Sequence, residues 1–288
     1  MSQPNNITPI SWYGGKTSHR KWILPLLPTS DTYVEPFGGS GSILLHREPS
    51  NVDVYNDLSE SLTDFYRVLR DNPDNLIRAL QLTPYSREEY EYALNHHDDP
   101  GLDEVEKARL FFTVCNQARA GLALSAVESQ FSFVRRESYS DMAGSISRWR
   151  NHISKLDSAA ERLDGVRIES RDAVAVIEEY DSPDTVFYLD PPYMAETRST
   201  GGEYGENEMG VEDHRELLEV LSDVEGDVAI SGYTSDLYEG MLSGWSRVER
   251  GTRAQAGQSG SERTEVLWCN YDVPASGDVS QSGLSSWA

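Results

Sequence analysis

An apolar run that stops at an acid and two prolines is the feature that most constrains how this chain can fold. Residues 186–189, VFYL, have the composition of a buried β-strand, and Asp190, Pro191 and Pro192 follow directly. Neither proline can donate a backbone hydrogen bond, and Pro192 also holds Pro191 in an extended conformation, so the strand must end in a stiff turn. In α/β sheets, ligands bind at the carboxyl ends of the parallel strands. The segment therefore predicts a strand whose polar end faces a functional site.

Strand-like and helix-like segments alternate along much of the chain. The segment DTYVEPFGGSGSILL, residues 31–45, indicates a strand, a glycine-rich turn and the start of a helix, and residues 51–71 indicate a strand up to Tyr55 followed by a helix. The apolar residues expected on one face of that helix are Leu58, Leu62, Phe65, Tyr66 and Leu69. Further short strands are predicted in GVRIES, TVFYLD, DVAISGY and RTEVLWCNYDV. This alternation predicts an α/β fold with a parallel sheet.

The middle of the chain departs from that alternation, because helical patterns dominate from about residue 76 to residue 163. We interpret the chain as one α/β domain interrupted by a mainly helical insertion. The predicted boundaries assign residues 1–60 and 164–274 to the α/β domain and residues 61–163 to the insertion. Residues 275–288, which are small and polar, are predicted to form a flexible tail.

Cysteine content and hydropathy argue against several classes of protein. Cys115 and Cys269 are the only cysteines in 288 residues, and two so far apart offer neither a disulfide framework nor a zinc-ligand spacing. The first residues lack the basic and apolar run of a signal peptide, and no apolar stretch approaches the length that spans a membrane. We therefore expect a cytoplasmic protein that has no metal site and does not associate with membranes.

The net charge of this chain is unusually negative. Forty-eight acidic residues face 25 basic ones, which gives −23, and only four of the basic residues are lysines. Such a charge destabilises the folded state through self-repulsion unless salt screens it. We hypothesise a halophilic source with a cytoplasm rich in potassium chloride, against the alternative of an ordinary acidic protein. Circular dichroism in dilute buffer is expected to show loss of structure, and full stability there would reject the halophilic source.

One stretch of the chain reverses the overall charge. Between Lys107 and Lys155 there are eight basic residues and three acidic ones. A basic stretch in a very acidic chain predicts a surface that binds a polyanion, although random clustering of charges would look the same.

The glycine-rich turn is flanked by two acids that suggest the kind of ligand it binds. Gly38, Gly39 and Gly41 allow close approach of the backbone to a ligand and torsions that other residues avoid. Glu35 precedes the glycines and would repel a pyrophosphate but suits a cationic ligand, whereas Asp57 follows the next strand, where α/β folds bind ribose hydroxyls. An adenosine with a positive centre, such as S-adenosylmethionine, fits this pair. A solvated loop acid at Glu35 and a helix N-cap at Asp57 are the alternatives.

The tetrapeptide DPPY has the groups needed to hold a planar amine. The Asp190 carboxylate and the Pro191 carbonyl are two acceptors for the two hydrogens of an exocyclic amino group, and Tyr193 offers a flat face on which a base can stack. Fixing both N–H bonds favours a tetrahedral nitrogen whose lone pair can attack a methyl sulfonium. Catalysis would then rest on positioning and on electrostatic preorganisation. A rigid turn without catalytic role is the alternative.

Together these motifs resemble the Dam-like DNA adenine N6-methyltransferases. The resemblance covers residues 10 to about 273 and follows the order of motifs in that family. The similar segments are SWYGGKTSHRKWILPLLP, YVEPFGGSGSILL, YNDLSESLTDFY, LFFTVCNQARAGL, RIESRDAVAVI, YLDPPY, SGYTSDLY and RTEVLW. The resemblance implies a Rossmann-like methyltransferase sheet and a helical target-recognition insertion. It also implies S-adenosylmethionine as methyl donor and a flipped adenine in double-stranded DNA as the methylated base, and we expect a monomer in solution.

The resemblance also assigns roles to individual residues. Trp12 and Lys16 would contact S-adenosylmethionine, Asp57 would bind its ribose, and Asp172 would approach its adenine amino group. Asp190 would lie at the boundary between the methyl donor and the target base. The cofactor-binding residues expected in total are Trp12, Lys16, Glu35, Phe37, Gly39, Gly41, Asp57, Asp172 and Asp190, and the expected catalytic residues are Asp190, Pro191, Pro192 and Tyr193.

The sequence also suggests how an acidic protein could contact DNA. Phosphate contacts through counterion release weaken at high salt, so the arginine bias favours contacts that depend on the geometry of the guanidinium group. The predicted DNA-contacting residues are Arg119, Arg135, Arg136, Arg148 and Arg150. Solvent-exposed or ion-paired arginines are the alternative for each of them.

Several functional alternatives remain open from the sequence. The segment CNQARAGLALSA departs from the asparagine- and tyrosine-rich stretch that is usual in the family, so the recognition sequence is not predicted. Another planar amine, such as cytosine N4 or a glutamine side-chain amide, could be the acceptor. A DNA-binding regulator without turnover is a third possibility. Both a solitary methyltransferase and one paired with a restriction nuclease suit the chain.

Overall fold

The computed structural model of this protein describes residues 6–118, 131–132, 144–194, 208–251 and 264–273. Its centre is a seven-stranded sheet. The strands are β1 (Thr32–Glu35), β2 (Val52–Asn56), β3 (Arg167–Glu169), β4 (Thr185–Leu189), β5 (Asp227–Tyr233), β6 (Ser246–Gly251) and β7 (Thr264–Cys269). Their spatial order is β3-β2-β1-β4-β5-β7-β6; the first five run parallel, and β7 runs antiparallel to both β5 and β6. The predicted α/β class with a mainly parallel sheet is therefore confirmed.

Helices cover both faces of this sheet. They are α1 (Arg20–Ile23), α2 (Glu60–Asp71), α3 (Pro73–Leu82), α4 (Arg87–His96), α5 (Glu104–Gln117), α6 (Gly144–Ile153), α7 (Leu156–Leu163), α8 (Ala173–Tyr180), α9 (Val211–Asp223) and α10 (Asp236–Met241). Side chains alternate between the two faces of a strand. Tyr188 of β4 accordingly joins one apolar cluster, whereas Phe187 and Leu189 join the other. Burial on both faces explains why residues 186–189 are apolar without interruption.

The helical middle of the chain packs against one face of the sheet. Phe65 of α2, Phe112 of α5 and Trp149 of α6 belong to the same apolar cluster as Tyr33 and Tyr188 of the sheet. The Phe65 and Phe112 rings stack with their centroids 5.7 Å apart, and Phe112 meets Trp149 edge to face at 5.4 Å. These helices thus help to bury the sheet, and the division of the chain at residues 61–163 stays a prediction.

Two details of the predicted elements are wrong. The glycine-rich turn leads into a short 3-10 turn, Leu44–His46, and not into an α-helix. Leu58 does not lie on the apolar face of α2, because the helix begins only at Glu60; Leu58 precedes it and is 57% exposed. The other four apolar residues predicted for that face are buried.

One strand of the sheet, β6, was not predicted from the sequence. Its sequence SRVERG is mostly polar and charged, because β6 forms the edge of the sheet and pairs only with β7. Charged side chains are common on edge strands, where they oppose pairing with another chain.

The described ranges contain neither a helix suited to crossing a membrane nor a group of side chains suited to holding a metal ion. No helix there combines the length and the apolar composition that crossing a bilayer requires. No group of three or more His, Cys, Asp or Glu side chains in those ranges is arranged to hold a metal ion.

Candidate active site

A cavity of about 440 Å³ opens at the carboxyl ends of β1, β2 and β4, beside the N-terminal segment. Its lining includes eight of the nine residues predicted to bind a cofactor, namely Trp12, Lys16, Glu35, Phe37, Gly39, Asp57, Asp172 and Asp190. Gly41 is not among the lining residues, although it belongs to the same turn. The structure therefore brings together residues that are up to 178 positions apart in the sequence, from Trp12 to Asp190.

The glycine-rich turn forms one wall of this cavity. Gly39 has a φ of +49°, in the region that favours glycine, and its N–H donates to Asp57 Oδ2 over 2.9 Å. At Gly38, a Cβ atom would lie 2.2 Å from the Tyr55 ring, so no larger residue fits. The Tyr55 hydroxyl in turn donates to the Gly39 carbonyl over 2.6 Å. The turn is thus fixed by its neighbours on β2 and by Asp57.

Asp57 is half-buried at the end of β2 and is held by backbone N–H groups. Oδ2 accepts from Gly39, and Oδ1 accepts from Ser59 over 2.9 Å. Burial raises the pKa of Asp57, and these two backbone hydrogen bonds oppose that rise. Asp57 is not the N-cap of α2, because Ser59 occupies that position. Its carboxylate therefore joins the glycine turn to the start of α2 at the cavity wall.

Glu35 is only 2% exposed, which excludes the alternative of a solvated loop acid. The Tyr33 hydroxyl donates to Glu35 Oε1 over 2.8 Å, which favours the ionised form of the carboxyl group. Burial nevertheless raises the pKa of Glu35 to about 8. A positive charge bound in the cavity would favour the ionised form of Glu35.

The buried position of Glu35 predicts how stability depends on pH. Between an ordinary glutamate pKa and the raised value of about 8, the folded chain keeps a proton that the unfolded chain has lost. The free energy of unfolding therefore falls as pH rises through this window, by an amount on the order of 4 kcal/mol. In Glu35→Gln this contribution is absent, so denaturation curves are expected to show that the variant gains stability relative to the parent between pH 5 and pH 8. A constant difference over that range would contradict the assignment.

Four buried groups surround the carboxylate at the end of β4. Lys16 Nζ lies 2.8 Å from Asp190 Oδ1 and 3.3 Å from Glu265 Oε1. The Ser231 hydroxyl donates to Asp190 Oδ1 over 2.8 Å, and the Tyr193 hydroxyl donates to Glu265 Oε1. One ammonium group thus pairs with a half-buried carboxylate, Asp190, and a buried one, Glu265, and this cluster joins the N-terminal segment to β4, β5 and β7.

The cluster shifts the protonation of its own members. Burial raises the pKa of Asp190; Lys16 and Ser231 oppose this rise, and the Glu265 charge adds to it. Burial lowers the pKa of Lys16, but the carboxylates of Asp190 and Glu265 outweigh burial and leave that pKa above its ordinary value. Lys16 therefore remains charged and is the group that favours the ionised form of Asp190.

The rest of the DPPY motif is more buried than the sequence suggests. Tyr193 is 9% exposed, its ring meets Tyr233 edge to face with centroids 4.8 Å apart, and Lys16 Nζ lies 4.7 Å from its centroid. Pro191 is buried as well. Of the four predicted catalytic residues, Asp190 and Pro192 line the cavity, whereas Pro191 and Tyr193 do not.

Glu265 and Ser231 are members of the site that the sequence analysis did not identify. The register of the sheet pairs Glu265 of β7 with Tyr233 of β5, which places Glu265 among the buried groups around Asp190. An available signal was the acid itself, because a glutamate inside the apolar segment TEVLW requires a buried partner.

Acidic side chains outnumber basic ones among the described residues that line the cavity. The carboxyl-bearing residues are Glu35, Asp57, Asp172, Asp190, Glu208, Asp213 and Glu216. Among the described residues, the cations in the lining are Lys16 and Arg171. Asp172 is exposed at the N-terminus of α8, where its Oδ1 accepts from Ala175 N–H over 3.1 Å. The cavity therefore suits a ligand that carries positive charge.

The arginines predicted to contact DNA have different positions. Arg119, Arg135 and Arg136 lie outside the described residues. Arg148 and Arg150 are exposed on α6. Arg148 lines a second cavity, whereas Arg150 lines neither of the two cavities described for this chain.

Comparison with known proteins relates this geometry to a family. The family described as D12 class N6 adenine-specific DNA methyltransferase matches residues 12–253. The chain is 28% identical to the type II methyltransferase M1.LlaDCHI of Lactococcus lactis subsp. cremoris, over 92% of this chain and 96% of that protein. It is 26% identical to the modification methylase LlaI of Lactococcus lactis subsp. lactis, over 76% of this chain and 35% of that protein. It is 22% identical to the DNA adenine methylase of Haemophilus influenzae, over 84% of this chain and 86% of that protein.

Proposed function

Since this chain belongs to the D12 class N6 adenine-specific DNA methyltransferase family, we propose that its acidic cavity binds S-adenosylmethionine and that Asp190, Pro191 and Tyr193 hold the target adenine. The family makes the chain an enzyme that methylates adenine in DNA and implies S-adenosylmethionine as the methyl donor. The roles of individual residues are our proposal. The observation that carries it is the ion-paired cluster of Lys16, Asp190 and Glu265, two of whose members, Lys16 and Asp190, line the acidic cavity.

The residues of the cavity fit the proposed methyl donor. S-adenosylmethionine carries positive charge on its sulfur and its ammonium group, and the cavity has seven carboxyl-bearing side chains against two basic ones. Glu35 is the most buried of these acids and lies at the end of β1, whereas Asp57 is proposed to accept from the ribose hydroxyls. Trp12 and Phe37 supply apolar surface. When bound, S-adenosylmethionine supplies a methyl group whose carbon–sulfur bond breaks with both electrons remaining on sulfur as the amine nitrogen bonds to carbon.

Asp190 is proposed to act on the amino group of the adenine. An ionised carboxylate accepts one amino hydrogen and the Pro191 carbonyl accepts the other, which directs the nitrogen lone pair away from the ring. Lys16 favours the ionised form of Asp190, and Ser231 orients its Oδ1 atom. The nitrogen must lose one proton when it is methylated, and Asp190 is the ionisable acceptor proposed to lie against it.

Contact with double-stranded DNA is proposed for the basic middle of the chain. Among the described residues, Arg148 and Arg150 are exposed on α6 and form no ion pair. Guanidinium groups suit phosphate and guanine edges in a protein that works at high salt. We further propose that the target adenine is flipped out of the duplex, that residues 61–163 recognise the target sequence, and that the protein is a monomer from a halophile.

Nucleoside analysis tests the proposed function. The protein is incubated with double-stranded DNA and labelled S-adenosylmethionine over a series of KCl concentrations, and the DNA is digested to nucleosides. We expect label in N6-methyladenine, with most transfer at high salt. Label in cytosine would show that the enzyme methylates another planar amine, cytosine N4, instead of adenine N6. Cofactor binding without transfer at any salt concentration would favour a non-catalytic regulator.

A further inference from the structure

We propose that a second, basic cavity beside the acidic one holds a phosphate group of the DNA backbone. This inference rests on the proposed function, because it names the DNA group that one face of the enzyme contacts. The basic cavity has a volume of about 380 Å³ and lies between the N-terminal segment, α5 and α6. It shares Trp12, Gly15 and Ser40 with the acidic cavity, so the two cavities are neighbours.

The two cavities differ in the sign of their charge. Among the residues that the structure describes, no aspartate or glutamate lines the basic cavity, and the charged lining residues are Arg148 and Lys155. Its remaining lining is mostly uncharged and polar, with the hydroxyl groups of Thr8, Ser11 and Ser145 among the possible donors. A cavity whose described lining combines two cations with hydroxyl groups suits an anion. Methylation of DNA requires a cationic methyl donor and a polyanion side by side, and the two neighbouring cavities match these charges.

The two cations of the basic cavity have no acidic partner among the described residues. Among the described residues, Arg148 forms no ion pair, and Lys155 Nζ donates only to the Thr8 carbonyl, over 3.0 Å. By contrast, Arg109 pairs with Glu89 and Glu106. Arg148 and Lys155 differ from other unpaired basic side chains in facing one cavity together, where a single anion can contact both.

His152 lines the basic cavity and does not add to its charge. His152 Nδ1 donates to the Pro9 carbonyl over 2.9 Å, and burial together with the charges of Lys155 and Arg148 lowers the pKa of His152 to about 4. The ring is therefore neutral near pH 7, which leaves Arg148 and Lys155 as the charges of the cavity.

Thr8 gives a second and independent indication of a ligand. Its side chain is 2% exposed and lines the basic cavity, and its hydroxyl has no hydrogen-bond partner within the described part of the chain. A buried hydroxyl without a partner is costly, so such groups in native proteins usually meet a ligand or an ordered water. A phosphate oxygen in the cavity would accept the hydrogen bond that Thr8 can donate once its side chain turns the hydroxyl toward the cavity.

DNA binding across a KCl series, within the range where each protein is folded, tests this assignment. For Arg148→Ala, the slope of log affinity against log salt concentration is expected to decrease by about one, as for the loss of one phosphate contact. Arg78→Ala is the matched control, because Arg78 is exposed on α3 and lines neither cavity, and its slope is expected to stay unchanged. Arg148→Lys is expected to restore the slope. An unchanged slope in Arg148→Ala would overturn the proposal.

Thr8→Val separates a ligand contact from a structural role. Because the hydroxyl has no partner among the residues that the structure describes, its replacement by a methyl group is expected to leave the melting temperature unchanged or higher. Affinity for DNA is expected to fall by roughly threefold to tenfold, which corresponds to one hydrogen bond. A variant that binds DNA as tightly as the parent would contradict a phosphate at this position.

Two further measurements locate the anion and separate the proposals. A duplex that contains the target adenine is made with a neutral methylphosphonate in place of one backbone phosphate. This replacement is expected to weaken DNA binding by the parent but not by Arg148→Ala. The opposite result is that inorganic phosphate binds in a way that depends on Arg148, while the methylphosphonate weakens DNA binding by the parent and by Arg148→Ala equally. That result would identify a site for a free anion and overturn the assignment to DNA. If the parent methylates DNA while Arg148→Ala behaves like the parent, only this inference fails; if the parent methylates no DNA, the proposed function fails.

Discussion

Replacement of Asp190 by alanine is expected to abolish methyl transfer to adenine while the protein still binds S-adenosylmethionine. The carboxylate is the proposed acceptor of one amino hydrogen, and no other ionisable side chain in the DPPY segment can take that role. Loss of a preorganised hydrogen-bonding group costs a factor of about 10² to 10³ in rate. Because Asp190 also provides the proposed proton acceptor, we expect a loss of at least about 10³. Single-turnover formation of N6-methyladenine and calorimetric binding of S-adenosylmethionine measure the two effects separately.

The buried cluster provides controls for this variant. In Asp190→Ala, the Lys16 ammonium keeps Glu265 as a partner, so the fold is expected to survive. Asp190→Asn keeps the size of the side chain and one acceptor but removes the charge, and it is expected to retain more activity than Asp190→Ala. Ser231→Ala removes only the hydroxyl that orients Oδ1, and we expect a smaller loss still. Methyl transfer by Asp190→Ala at the parental rate would contradict the role of the carboxylate.

Local sequence was sufficient to predict the elements that combine apolar strands with polar ends. The uninterrupted apolar run at 186–189 forms β4, because a strand in the middle of a parallel sheet is covered on both faces. The acids at its end and at the end of β1 follow from the same logic, and both line the cavity. Residue types that are adjacent in the chain carry this information, so no knowledge of the tertiary structure was needed.

Features that depend on long-range register could not be predicted in this way. Glu265 reaches Tyr193 only because β7 inserts antiparallel between β5 and β6, and nothing near residue 265 encodes that pairing. The edge strand β6 lacks an apolar pattern because one of its sides has no neighbour. At Leu58 the local pattern predicted too much. Its spacing fits the apolar face of α2, but the helix begins two residues later, so Leu58 lies outside it.

Glu265 is expected to set the pH at which the enzyme loses activity in acid. Its charge raises the pKa of Asp190, in addition to the larger effect of burial, and Asp190 must be ionised to accept an amino hydrogen. Glu265→Gln removes that charge and keeps an oxygen that can accept from the Tyr193 hydroxyl. The pKa of Asp190 then falls, so the acidic limb of kcat/KM against pH is expected to move to lower pH.

Glu265→Ala is expected to have a different and larger effect on folding. This variant leaves the buried Tyr193 hydroxyl without its acceptor and removes one of the two carboxylates around Lys16, so the free energy of unfolding is expected to fall by about 3 kcal/mol. Glu249→Gln on the neighbouring strand β6 is the matched control, because it removes the same charge from an exposed site. The control should leave both the pH profile and the unfolding free energy nearly unchanged. An acidic limb that stays in place or moves to higher pH in Glu265→Gln would show that Glu265 does not act through the charge of Asp190.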